Sequence, residues 1–140
     1  MDCKITNVKI VNSPKTIMYK GEEIKVVNDI NEAVKELKKG NEIARFEFGN
    51  SMYPILKSGE YGVVVPIDIY NVNIGDAVLC EVNGQLMTHM VMMVSDSACD
   101  GRYVLIGNTW MQFYGWTNKV YGGVIGTNIL EIEPNVEEVN

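Results

Sequence analysis

The feature that most constrains this chain is how its second half is punctuated. From Ile43 onward, short β-branched and apolar runs are broken by Gly, Asn and Pro, and none lengthens into a helical repeat. Ile43–Phe48 alternates, Tyr61–Pro66 is an apolar run, and Asp76–Val82 leads into Asn83-Gly84, a two-residue hairpin signal. The return strand is expected over Gln85–Val94, with further strands at Arg102–Ile106, Lys119–Ile125 and Ile129–Ile132. Extended stretches are also expected at residues 4–12, 16–19 and 24–27, separated by Ser13-Pro14 and Lys20-Gly21.

One segment breaks this pattern. Ile30, Ala33, Val34 and Leu37 recur at helical spacing, so the sequence predicts a helix over Ile30–Lys39. Asp29 is a suitable N-cap and Glu32 stands at the capping-box position. Lys38 and Lys39 suit the negative end of the helix dipole, and Gly40 ends the helix. A single amphipathic helix is too little for a helix-turn-helix reader. The expectation is a mainly-β fold with one N-terminal helix. Residues 1–42, including the helix at 29–40, should pack on a β domain at 43–132, with an acidic tail at 133–140.

Length and charge narrow the function classes. With 140 residues the chain suits one core. A net charge of −6 without a basic run argues against a broad phosphate-contacting surface, so no nucleic acid is expected as partner. No apolar run approaches the ~20 residues that span a bilayer, and the opening Met-Asp-Cys-Lys-Ile-Thr lacks the order of a signal peptide. A cytoplasmic location, or one inside a phage particle, is expected. Cys3, Cys80 and Cys99 lack paired spacing, so neither a disulfide framework nor a zinc site is indicated, and no cofactor is expected.

The richest stretch is Phe48-Gly49-Asn50-Ser51-Met52-Tyr53-Pro54, followed by Ile55-Leu56-Lys57-Ser58-Gly59-Glu60. A strand ends at a glycine, a serine sits at the turn, and a proline restricts the exit. By itself this is also ordinary turn chemistry. Downstream come Ile74-Gly75-Asp76-Ala77-Val78, then Gln85-Leu86-Met87-Thr88-His89-Met90-Val91, Val104-Leu105-Ile106-Gly107-Asn108 and Val120-Tyr121-Gly122-Gly123-Val124-Ile125-Gly126. In order and spacing, residues 43–126 resemble the LexA-like and signal-peptidase-like serine peptidases.

That resemblance implies a coiled β fold, with Ser51 as nucleophile and His89, the chain's one histidine, as general base. LexA-type proteins and bacterial signal peptidases carry lysine at the base position; archaeal and endoplasmic-reticulum signal peptidases carry histidine. The Ser51 N–H is the natural first oxyanion donor. After Gly107 the histidine-type enzymes carry an aspartate that orients the base, whereas this chain has Asn108. Asn108 is expected to hydrogen-bond the imidazole, and Asp96 and Asp100 are alternative acids. A helix-turn-helix, a membrane anchor and an Ala-Gly self-cleavage pair before Ser51 are absent from the sequence.

Blander readings stand beside these. His89 lies in the apolar run Leu86–Val94, which reads as buried on both faces and would make it a core residue. A soft copper site with Met87, Met90, Met92 and Met93 is disfavoured, because alternation sets Met90 and Met92 opposite His89. The aromatic cluster Trp110-Met111-Gln112-Phe113-Tyr114-Gly115-Trp116 reads as a loop capping one end of the core, or as a rim contacting a peptide or neighbouring subunit. Two functions follow. One is a soluble serine endopeptidase acting on a protein or peptide; the other is a non-catalytic structural or interaction module, such as a phage virion component.

Overall fold

The computed structural model describes the backbone of residues 8–12, 15–46, 61–128 and 135–138, and the side chains of 15–46 and 61–126. It is mainly β, with a single α-helix among the described residues. The expected strand at 129–132 lies outside them, as do Cys3 and the whole Ser51 motif.

Helix α1 spans Ile30–Lys38. The Asp29 carboxylate accepts from the Glu32 N–H at 3.0 Å, as its cap position predicts. The Glu32 carboxylate itself meets Lys35 one turn along the helix. At the other end, Gly40 N–H donates to Leu37 and Asn41 N–H to Glu36, the paired bonds of a Schellman stop. Ala33, Val34 and Leu37 are buried, so one face docks while the lysines stay in water.

The strands are β1 (Val8–Asn12), β2 (Thr16–Tyr19), β3 (Glu22–Lys25), β4 (Ile43–Phe46), β5 (Tyr61–Pro66) and β6 (Ala77–Val82). They continue with β7 (Gln85–Ser97), β8 (Gly101–Gly107), β9 (Phe113–Thr117), β10 (Lys119–Asn128) and β11 (Asn135–Glu138). Among the described residues they form a seven-stranded antiparallel sheet in the order β4-β5-β10-β6-β7-β8-β9, plus ribbons β2-β3 and β1-β11. The acidic tail at 133–140 thus carries a strand paired with β1.

Asn83 and Gly84 both take positive φ, 52° and 81°, which is the two-residue turn that matches strand twist. It sets the β6–β7 register with Val78 opposite His89 and Cys80 opposite Met87. Every second residue therefore shares a face, and β6 is buried on both. Leu79 packs with Val34, Leu37, Ile43 and Val64 beneath α1. Val78, Cys80 and Val82 pack on the other face with Val72, Val91, Val104 and Ile106. The β2–β3 ribbon covers a third cluster, with Ile17 and Ile24 against Ala44 and Val63.

The two ends of the sheet curl toward opposite faces. On the α1 side, Arg45 of β4 reaches Thr88 of β7. On the other, β9 comes over β6: the Thr117 hydroxyl donates to the Glu81 carbonyl, and a Cβ at Gly115 would lie 3.0 Å from Val82. Each curl closes one core, as a sheet with right-handed twist does when both faces must be buried.

Two expectations are corrected. Phe113–Trp116 of the aromatic cluster lies in the edge strand β9, not in a loop. Strand β7 is mostly half-buried, with Val91 its one fully buried residue, so it is not covered on both faces.

Candidate functional site

The β6–β7 register puts the His89 ring on the face of Val78, Cys80 and Val91. It is half-buried there, and its Nδ1 is buried without a hydrogen-bond partner among the described residues. Burial holds its pKa below the ordinary histidine value, because desolvation disfavours the imidazolium. The ring is therefore neutral at pH 7, the form that accepts a proton.

Tyr114 lies against it. The two rings stack with centroids 4.5 Å apart and planes 23° from parallel. A bulge makes this possible: Ile106 pairs with Gly115 and Gly107 with Phe113, leaving Tyr114 as the extra residue. Counting back from buried Thr117, simple alternation would send Tyr114 outward with Trp116. The bulge turns it inward instead. Gly115 follows at φ 141°, a backbone angle that side-chain-bearing residues rarely adopt.

Asn108 is 1% exposed and organises the turn before β9. Its Oδ1 accepts from the Trp110 and Gln112 N–H groups at 2.9 and 3.1 Å. Its Nδ2 donates to Gln112 Oε1 at 2.7 Å and to the Tyr114 hydroxyl at 3.0 Å. Both amide hydrogens and both oxygen lone pairs are in use, so the side chain has nothing left for the imidazole. The expected Asn108–His89 hydrogen bond is replaced by an indirect link in which Asn108 holds Tyr114 and Tyr114 stacks on His89.

The alternative acids are elsewhere. Asp96 pairs with Arg102 at 2.7 Å, seven residues along β7 from His89 and so roughly 23 Å away at strand rise. Asp100 is exposed in the hairpin turn beyond it. Cys80 is a buried filler whose thiol burial pushes up to about 12. Ser51 lies outside the described residues, within the segment 47–60 that joins β4 to β5. Tyr114 is the member of the site that sequence reasoning missed, since the aromatic cluster was legible but the bulge that selects one of its rings was not.

On the opposite face of β7–β8–β9, Met93, Leu105 and Trp116 line up across three strands, with Met93 and Trp116 exposed. Trp110, Met111 and Phe113 are exposed as well. Comparison with protein-family models, curated proteins and solved structures returns no match.

Proposed function

We propose that this chain is a serine endopeptidase of the LexA/signal-peptidase type, with Ser51 as nucleophile and His89 as general base. The observation that carries this reading is the state of His89: a half-buried, neutral imidazole whose Nδ1 has no partner among the described residues. A structural histidine in a core usually satisfies its ring nitrogens, because an unpaired buried nitrogen costs about 1–3 kcal/mol. A base must instead keep one nitrogen available for the proton it receives. The ordered motifs around Ser51, Gly75-Asp76 and His89 supply the nucleophile.

In this reading the Ser51 hydroxyl attacks a peptide carbonyl while His89 takes its proton, and the backbone N–H of Ser51 donates to the developing oxyanion. The imidazolium then returns the proton to the leaving amine, and water releases the acyl group by the reverse roles. A peptide substrate would add as a strand along an exposed sheet edge.

A second reading draws on a different observation. The outward row Met93, Leu105 and Trp116, with exposed Trp110, Met111 and Phe113, suits an interaction module that contacts a neighbouring subunit. A serine-reactive fluorophosphonate separates the two. Labelling of the wild type that is lost in Ser51→Ala and His89→Ala supports the peptidase. Equal labelling of all three, or none in any, sinks it and leaves the interaction module.

A further inference from the structure

Building on the peptidase reading, we infer that Tyr114 is the positioning residue of His89. Its ring, anchored at the hydroxyl by Asn108, fixes the imidazole plane and offers the aromatic face on which the imidazolium is stabilised.

Three independent features converge on that contact. The near-parallel stack at 4.5 Å puts the π-face of one ring against the other, where a cation gains most. The phenol is held at 3.0 Å by an amide that is itself buried and bonded to two backbone N–H groups, so the ring sits on a rigid support. The bulge and Gly115 divert the backbone so that this ring alone of the exposed aromatic cluster turns inward. Histidine bases are commonly oriented by a carboxylate that also stabilises the imidazolium. Here the described carboxylates of the region are committed elsewhere: Asp96 to Arg102, Glu81 to Tyr121 and Lys119, Asp76 to the Asn73 N–H, and Asp68 to the Tyr70 N–H.

The titratable groups that share His89's face are few. Strand β6 contributes the Cys80 thiol, which burial keeps neutral, and β9 contributes Tyr114 itself. The inward residues of β8, Val104 and Ile106, are apolar. A proton arriving on His89 thus finds the Tyr114 face as its stabilising partner among the described groups.

The chain's one histidine makes the test direct, because a single imidazole is followed by NMR titration without assignment ambiguity. Wild type, Tyr114→Phe and Tyr114→Leu are compared. Leucine keeps the site dry but removes the π-face, so proton affinity should fall about threefold. Phenylalanine keeps the face but loses the hydroxyl that Asn108 anchors, so its affinity should fall between those of Tyr114→Leu and wild type. An affinity in Tyr114→Leu equal to or above wild type overturns the inference. Should that variant fail to fold, the wild type alone decides: imidazole C–H resonances shifted upfield by the neighbouring ring support the stack, and random-coil positions refute it. The titration involves no Ser51 chemistry. A wild type that resists phosphonate labelling yet titrates as expected loses the peptidase reading and keeps the stack, and the converse result keeps the peptidase and loses Tyr114.

Discussion

The two faces of the central sheet solve the same packing problem with different chemistry. Beneath α1, the core of Val34, Leu37, Ile43, Val64 and Leu79 is wholly apolar. Under the β8–β9 curl, an apolar core is joined by Asn108 and Thr117, the buried polar residues among those described, and by the His89–Tyr114 stack. A polar group is kept in a core only when its hydrogen bonds are met, and the Asn108 side chain meets all of its own. The difference separates a face that supplies stability from a face that supplies geometry.

The largest effect that would break this division is on the α1 side. Leu79 is fully buried, and Leu79→Ala should cost about 3 kcal/mol in urea unfolding through lost transfer energy and a cavity. The His89 titration of that variant should match wild type. A displaced titration would mean that the two faces are not independent.

On the other side, Asn108→Ala leaves two backbone N–H groups and the Tyr114 hydroxyl without their partner, and should cost about 2 kcal/mol. Its signature is local. The upfield shift of the imidazole resonances should collapse while α1 keeps its helical signal. Full retention of the ring shift would show that Tyr114 stacks without its anchor.

The smallest effect concerns pH. The folded-state pKa of His89 is depressed below its unfolded value. Between the two values the unfolded chain binds more protons, so stability is complete above the ordinary histidine pKa and is lost as pH falls through the depressed one. The imidazole is half exposed, so the slope should be shallow. Wild-type stability should fall more steeply than that of His89→Gln as pH is lowered from 7 toward 5. Parallel curves for the two proteins would remove His89 from the buried face.

Much of the frame was legible in the chain because its signals are local. Asp29 and Gly40 bracket α1 within a residue, since caps satisfy groups three or four residues away. Asn83-Gly84 specified a two-residue hairpin, and with it the register that pairs His89 with Val78. The run Leu86–Val94 was misread as buried on both faces because apolarity says what tolerates burial, not what is covered.

The sequence by itself determined a mainly-β chain with one capped helix. Tertiary structure alone decided what surrounds His89. Whether Tyr114 points inward depends on a one-residue bulge against Gly107, and a slip of one residue reverses every face of a strand. Whether Asn108 touches His89 depends on where its four hydrogen bonds are spent, and all four go to the turn and to Tyr114. Local chemistry wrote the elements; the curl of β9 over β6 chose the histidine's neighbour.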